Sequence, residues 1–176
     1  IRAVTPAEKG VERHAIKMKA ITNDPPKVVF LGDSITHFWE VPGRGKGVWD
    51  KFFAEGLQKA LCLGTSGDRT ENVLWRIENG ELDGYRAKCV MLMIGTNNRD
   101  KSQDVVAGIR RVLDIIAEKQ PQAKILLLPI FPRGANAEDG NRKRNEAVNA
   151  EIVKFAVMDD VAIAVCSIPN PPRVAQ

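Results

Sequence analysis

The segment Val28-Val29-Phe30-Leu31-Gly32-Asp33-Ser34 joins a continuous apolar run to a short polar turn. A run of this kind is typical of a parallel strand that is covered on both faces of its sheet. The segments at 60–68 (ALCLGTSGD) and 90–98 (VMLMIGTNN) end in the same way. Because doubly wound α/β folds build their sites at the carboxyl ends of parallel strands, the three segments predict one site assembled from three strand ends.

Strand-like and helix-like segments alternate along the rest of the chain, which predicts an α/β fold with a parallel sheet and right-handed crossovers. Apolar runs predict strands at 28–31, 60–63, 89–94, 124–129 and 161–165. Apolar residues at helical spacing predict helices at 6–21, 49–53, 70–79, 102–119 and 141–155, and a further helix is expected to begin after Ser34. With no internal repeat and no linker, residues 1–176 are expected to form a single domain.

The first of these helices is expected to begin at Pro6, with Thr5 as its cap, because proline suits the first turn of a helix. Its apolar positions at near-helical spacing are Val11, Ala15, Ile16, Met18 and Ile21.

The composition argues against several classes of function. The chain is 44% hydrophobic, which is enough for a real core, but no apolar run reaches the length of a membrane span. Its net charge is +4, yet the basic residues are spread among acidic ones, so a nucleic-acid partner is not expected. The densest basic cluster, Arg142-Lys143-Arg144, has Glu146 and Glu151 nearby and is interpreted as a solvated helix face.

The cysteines and the chain termini add little about function. Cys62, Cys89 and Cys166 lie in apolar runs without metal-binding spacing, so buried free thiols are expected and no metal or cofactor is. Because Ile1 is not a methionine, we expect a processed or trimmed chain, and no signal peptide is visible. The compartment is left open, with a periplasmic or secreted location placed slightly ahead of a cytoplasmic one.

The three strand ends could together catalyse acyl transfer. Ser34, between a strand and a helix start, could attack a carbonyl while its own N–H holds the oxyanion, although a helix N-cap is the plainer interpretation of a lone serine. Gly64 and Gly67 allow a tight turn in which the Gly67 N–H is a second donor, with Asp68 as a helix cap. Asn97 offers a side-chain amide as a third donor, or is simply a turn asparagine. Three turns that converge on one serine are much less expected by chance than any one alone.

These segments also resemble a known family. Gly32-Asp33-Ser34, the stretch at 64–70 (GTSGDRT) and the stretch at 95–98 (GTNN) look like the first three signature blocks of the SGNH, or GDSL-type, hydrolases. The stretches at 68–82 (DRTENVLWRIENGEL) and 129–134 (PIFPRG) are closest to the branch that resembles platelet-activating-factor acetylhydrolase catalytic subunits. The resemblance covers roughly residues 10 to 156.

The resemblance implies a flavodoxin-like three-layer α/β/α sandwich, with a five-stranded parallel sheet in the order 2-1-3-4-5. It implies a serine carboxylester hydrolase that acts without metal on acetyl or short-acyl esters of a sugar or lipid-like alcohol, and it is compatible with a homodimer. Ser34 would be the nucleophile, and the Gly67 N–H and Asn97 would be oxyanion donors. Gly32, Asp33 and Asp68 would support them.

The sequence departs from the family pattern in two places. Cys62 stands where the family usually has an asparagine that supports the neighbouring loop, so we expect a looser loop. The family's Asp-x-x-His element and last helix are not found, since the chain after Phe155 contains no histidine. Asp159 and Asp160 are interpreted as loop or helix-end acids. We therefore expect a truncated, frameshifted or incomplete hydrolase.

The two histidines offer little in place of that element. His14 is expected to pack or to lie on the surface. His37 follows Ser34 by three residues and is the candidate base, although a side chain on that helix is poorly aimed at the turn.

Three alternatives to an active esterase remain open. A catalytically silent or truncated protein of the same fold could act as a binding or interaction module. An α/β-hydrolase is disfavoured because the turn at Gly32-Asp33-Ser34-Ile35-Thr36 lacks the second glycine of the G-x-S-x-G motif. A flavin or phosphate binder of flavodoxin-like shape is the third alternative.

Overall fold

A five-stranded parallel sheet forms the centre of the molecule, in the order β2-β1-β3-β4-β5. The computed structural model describes residues 1–56 and 59–155, together with the backbone of 163–165. The strands are β1 (Val28–Gly32), β2 (Ala60–Cys62), β3 (Cys89–Met93), β4 (Lys124–Leu127) and β5 (Ile163–Val165). The predicted fold class and strand order are confirmed.

The helices lie between the strands along the chain. They are α1 (Val11–Asn23), α2 (Ser34–His37), α3 (Lys46–Phe52), α4 (Thr70–Arg76), α5 (Ser102–Lys119) and α6 (Gly140–Ile152). Short 3-10 turns lie at Arg2–Val4 and Phe38–Glu40, and a π-helical turn at Ile77–Glu81 follows α4. The predicted bounds of α5 are confirmed to the residue. No helix in the described part of the chain is both long and apolar enough to cross a bilayer.

The central strand β1 is covered on both faces, as its unbroken apolar sequence predicts. Val29 and Leu31 are fully buried in the main core with residues of α4, α5 and α6. Val28 and Phe30 pack instead into a smaller cluster with Trp49 of α3. This alternation follows the two-residue period of a strand, so β1 is fixed between two helical layers.

The first helix differs from its prediction. It begins at Val11, with Gly10 as its N-cap, because residues 6–10 form no regular element and the Ala7 N–H donates to the carbonyl of Glu71. Val11, Ala15 and Ile16 are exposed, so the expected apolar face is wrong for these three residues. The buried residues of α1 are Ile21 and Lys17, and Lys17 is paired with Glu40 at 2.6 Å.

The N-terminus of α4 also differs from its prediction. Arg69, not Asp68, occupies the N-cap, and its N–H is accepted by the Asn72 side chain at 3.1 Å. Asp68 is fully buried and turns toward Arg76 instead. The predictions made for Asp159, Asp160, Cys166 and the C-terminal segment lie outside the described residues.

Candidate active site

Ser34 is the first residue of α2, and one residue, Asp33, separates it from the buried end of β1. The N-cap is Asp33, whose side chain accepts the Ile35 N–H at 2.9 Å. The alternative in which Ser34 caps the helix is therefore wrong. Ser34 is half-buried, and its hydroxyl bonds to no side chain within the described residues. Its Oγ is thus available at the amino end of a helix.

Asp33 is an unusual cap because its carboxyl group is almost fully buried. Burial raises its pKa, while the Ile35 N–H and the positive charge of Arg133 act in the opposite direction. Its second oxygen, Oδ2, has no partner within the described part of the molecule. The negative charge of the Asp33 carboxylate, in the turn that carries Ser34, is therefore only partly stabilised by its surroundings.

Gly32 and Gly64 let the ends of β1 and β2 approach α2 closely. A Cβ on Gly32 would lie 2.6 Å from the carbonyl oxygen of Met93, and one on Gly64 would lie 2.5 Å from the backbone nitrogen of His37. Both distances are too short for any larger residue without movement of the backbone. The loop after β2 is thereby fixed against the helix that begins with Ser34.

Gly67 lies in the loop after β2 with a φ of 76°, a value that favours glycine. Its backbone N–H donates to no group among the described residues. Lys9 approaches the same loop and donates from Nζ to the carbonyl oxygen of Ser66 at 3.2 Å. The loop therefore presents a free N–H at the carboxyl end of the sheet.

Asn97 lies in the loop after β3, where its Nδ2 donates to the carbonyl oxygen of Asp68 at 2.9 Å. A side-chain amide carries two N–H donors, so this bond leaves one of them for another acceptor. The neighbouring Asn98 is buried and accepts the Thr70 N–H at 3.1 Å. These two bonds join the loop after β3 to the loop after β2 and to the start of α4.

A buried charged network supports this pair of loops. Arg76 is fully buried and forms ion pairs with Asp68 and with Glu81, the latter at 3.3 Å. Glu81 in turn lies 3.0 Å from Nδ1 of His14, whose ring packs edge-on against Trp75 at 5.1 Å. Burial raises the pKa of Asp68 to about 6, more than Arg76 lowers it. The expectation that His14 packs rather than catalyses agrees with this position.

His37, the candidate base, is paired with a different serine. Its Nδ1 lies 2.9 Å from the hydroxyl of Ser66 in the loop after β2. Its other ring nitrogen, Nε2, has no hydrogen-bond partner among the described residues. Burial lowers its pKa, and the charge of Arg13 lowers it further, so the imidazole is neutral near pH 7. The structure thus brings His37 to Ser66, with Nε2 left free.

Cys62 holds the loop after β2 in the place where the family usually has asparagine. Its thiol donates to the carbonyl oxygen of Thr36 at 3.1 Å. Burial raises its pKa to about 11, so it remains a thiol. Arg13 adds a second support, with Nε donating to the carbonyl oxygen of Gly64 at 2.7 Å and a nitrogen 2.7 Å from Glu40. The sequence did not predict these supports because they come from α1.

A cavity of about 370 Å³ opens beside the oxyanion candidates. Gly67 and Asn97 line it together with Thr96 and Asn98, whereas Ser34 is not among its lining residues. Its remaining walls are dominated by Arg69, Arg99, Arg133 and Arg144. Arg144 lines this cavity and has a buried Nε, so the expectation of a solvated helix face is wrong for this residue. The segment at 129–134 contained Arg133, but no pattern indicated a shared cavity.

Within the described part of the chain, no three His, Cys, Asp or Glu side chains cluster in a way that could hold a metal ion.

Comparison with known proteins gives consistent results. The profile of the GDSL-like Lipase/Acylhydrolase family matches residues 30–166. Platelet-activating factor acetylhydrolase IB subunit alpha1 of Homo sapiens is 37% identical over 131 residues, which are 72% of this chain and 54% of that protein. Subunit alpha2 of Homo sapiens is 34% identical over 135 residues, covering 74% and 56%. The chain thus spans about half the length of these curated relatives.

Solved structures show the same fold at low sequence identity. A member of the lipolytic protein G-D-S-L family from Veillonella parvula has a TM-score of 0.63 at 20% identity, covering 77% of this chain and 75% of that one. Axe2, an acetylxylan esterase from Geobacillus stearothermophilus, has a TM-score of 0.59 at 19% identity, covering 78% and 74%.

Proposed function

Because this chain belongs to the GDSL-like lipase/acylhydrolase family, we propose that it is a serine carboxylester hydrolase that removes acetyl or other short acyl groups from small esters. The names of its curated relatives, which are acetylhydrolase subunits, support the acetyl group as the first choice. A sugar or a lipid-like alcohol is the proposed leaving group.

Ser34 is the proposed nucleophile. Its Oγ attacks the ester carbonyl and forms a tetrahedral intermediate, and collapse of this intermediate releases the alcohol and leaves an acyl-serine that water then hydrolyses. Its position at the amino end of α2 supports this role, because backbone N–H groups there carry partial positive charge.

The oxyanion is held by the Ser34 N–H, the Gly67 N–H and the second N–H of Asn97. The free Gly67 N–H carries this proposal, since a backbone donor without an internal partner is available to a ligand. The bond from Asn97 to the Asp68 carbonyl fixes the direction of the remaining donor before substrate arrives. Donors fixed in advance contribute the most to catalysis, because they need no reorganisation during the reaction.

The proton of Ser34 requires an acceptor. His14 is engaged by Glu81, so His37 is the histidine of this sequence that we assign to the role. It is neutral near pH 7 and its Nε2 is unengaged among the described residues, which suits a general base. Ser66 would then act as the group that orients the ring through Nδ1.

Hydrolysis of p-nitrophenyl acetate tests this function. We expect activity above background that is lost in Ser34→Ala and in His37→Gln, and retained in His14→Gln. Equal rates for wild type and Ser34→Ala would overturn the proposal.

A catalytically silent ester-binding module is the second candidate. The pairing of His37 with Ser66 favours it, because no side chain within the described residues bonds to the hydroxyl of Ser34. This candidate predicts saturable binding of an acetyl ester by a folded wild-type protein that does not hydrolyse it.

A further inference from the structure

The cavity beside Gly67 and Asn97 has a strongly basic wall that ester hydrolysis alone does not require. Four arginines are among its lining residues: Arg69, Arg99, Arg133 and Arg144. A neutral acetyl ester would need only the oxyanion donors and a shaped pocket. The concentration of positive charge therefore calls for a separate explanation.

Few carboxylates compensate this charge within the described residues. Arg69 lies 3.5 Å from Glu71, which also lies 3.7 Å from Arg2. For Arg99, Arg133 and Arg144, no ion pair with a described carboxylate is found. The negative charge of Asp100 acts to raise the pKa of Arg144, but Asp100 is already paired with Arg2 at 3.0 Å. The cavity thus keeps a net positive charge.

Two of these arginines, Arg133 and Arg144, have guanidinium groups that bond to the same backbone oxygen. Arg133 donates to the carbonyl oxygen of Thr96 at 2.9 Å, and Arg144 donates to the same oxygen at 3.2 Å. The Nε of Arg144 is buried without a partner in the described structure. Burial lowers the pKa of Arg144, and the charge of Arg133 lowers it further. An anion between the two would relieve their repulsion and satisfy the free donor.

The basic wall is also close to the proposed reaction centre. Gly67 and Asn97 line the same cavity, and the charge of Arg133 opposes the burial that raises the pKa of Asp33, the residue before Ser34. An ester carbonyl on the oxyanion donors would therefore place the rest of its substrate toward the arginines.

We propose that this cavity is an anion subsite that binds a carboxylate, phosphate or sulfate group carried by the ester substrate. The proposal rests on the proposed function for the source of the anion, while the subsite itself stands on the arginines. Arg133 and Arg144 supply the main contacts, since guanidinium groups bind oxyanions through paired N–H donors. The enzyme then prefers anionic esters over neutral ones of the same shape.

Binding can be measured without turnover in the Ser34→Ala variant by isothermal titration with 4-acetoxybenzoate and with phenyl acetate, which differ by one carboxylate. We expect at least about tenfold tighter binding of 4-acetoxybenzoate, and a loss of about tenfold when Arg133→Gln or Arg144→Gln is added. Arg142→Gln, on the same helix as Arg144, is the matched control and should leave the affinity unchanged.

Inorganic phosphate and sulfate identify the source of the anion. If either one binds as tightly as 4-acetoxybenzoate and competes with it, the subsite recognises a phosphate or sulfate group. If 4-acetoxybenzoate binds and neither inorganic anion does, the subsite recognises a carboxylate. All these affinities should fall as ionic strength rises.

The kinetic arm separates this proposal from the proposed function. Wild type should show a higher kcat/KM for 4-acetoxybenzoate than for phenyl acetate, and this ratio should approach one in Arg133→Gln. If the protein binds the anionic ester selectively but hydrolyses neither ester, the proposed esterase activity is wrong and the anion subsite is supported. Equal binding of the two esters, or binding that is indifferent to both arginine substitutions, would overturn the subsite.

Discussion

Asn97 donates a hydrogen bond from its side-chain amide to the backbone carbonyl oxygen of Asp68, at 2.9 Å. This bond ties the loop after β3 to the loop after β2, and these loops carry two of the three proposed oxyanion donors. Because Asp68 is itself held by buried Arg76, the direction of the Asn97 amide depends on a charged network beneath the sheet edge.

Replacement of Asn97 by Asp should impair acyl transfer far more than folding. The substitution keeps the size of the side chain but removes both N–H donors and places a negative charge against the Asp68 carbonyl. We expect p-nitrophenyl acetate hydrolysis to fall by about 10²–10³. Asn79→Asp is the control, since Asn79 is exposed and its side chain bonds, among the described residues, to the Trp75 carbonyl at the end of α4. A rate for Asn97→Asp close to that of wild type would exclude Asn97 from the oxyanion hole.

Replacement of Arg76 by Met should strongly destabilise the fold. Arg76 is fully buried, and its loss leaves the carboxylates of Asp68 and Glu81 in the interior without their cation. We expect the free energy of unfolding in urea to fall by about 3–5 kcal/mol. Arg111→Met is the control, because Arg111 is half-exposed and lies 3.8 Å from Glu78, so its loss should change stability little. Similar effects for the two variants would contradict the buried network.

Asp68 should give stability a distinct pH dependence. Its pKa in the fold is about 6, above the usual value near 3.9 of an unfolded chain, so the folded state binds more protons between these values. The contribution of Asp68 to the free energy of unfolding is therefore fully present below about pH 4. It is lost as the pH rises through about 6, and the loss is about 3 kcal/mol at most.

The matched comparison is with Asp68→Asn, which lacks this titration. Urea unfolding at steps from pH 4 to pH 7 should show wild type losing stability relative to the variant as pH rises. If the difference in free energy of unfolding between wild type and Asp68→Asn stays constant, or grows in favour of wild type, Arg76 keeps Asp68 ionised over this whole pH range.

Replacement of Gly64 by Ala should disturb the turn that carries Ser34. The new Cβ would lie 2.5 Å from the His37 nitrogen and 2.8 Å from the Thr36 carbonyl carbon, both backbone atoms that cannot move alone. We expect a destabilisation of about 1–3 kcal/mol and reduced activity. Gly47→Ala is the control, since Gly47 lies in α3 with open space around it and alanine favours helices. Thermal unfolding should thus shift in opposite directions for the two variants.

The strand ends were predictable from the sequence because they combine two strong local signals. Unbroken apolar runs such as Val28–Leu31 indicate covered strands, and the Gly-rich turns after them indicate close backbone approach. The length of α5 was predictable for a similar reason, since its apolar stripe at helical spacing is long and regular. Local patterns of this kind are therefore enough to predict most of the strands and helices.

The contacts that support the site were not predictable, because they join residues far apart in the chain. Arg13 reaches the Gly64 carbonyl from a helix that was expected to pack through apolar residues. Asp68 resembles a helix cap in sequence, but it forms a buried ion pair with Arg76, eight residues further along the chain. Arg144 lies within a basic cluster, and only the fold separates it from its solvated neighbours.

Reaction with a fluorophosphonate, followed by intact mass and peptide mapping, is the sharpest test of Ser34 as the nucleophile, because the reagent marks an activated serine without needing a particular ester. We expect one adduct, located on Ser34, which disappears in Ser34→Ala and persists in Ser66→Ala. An adduct on Ser66, or none on Ser34 in a protein shown to be folded by circular dichroism, would contradict the assignment of Ser34 as the nucleophile.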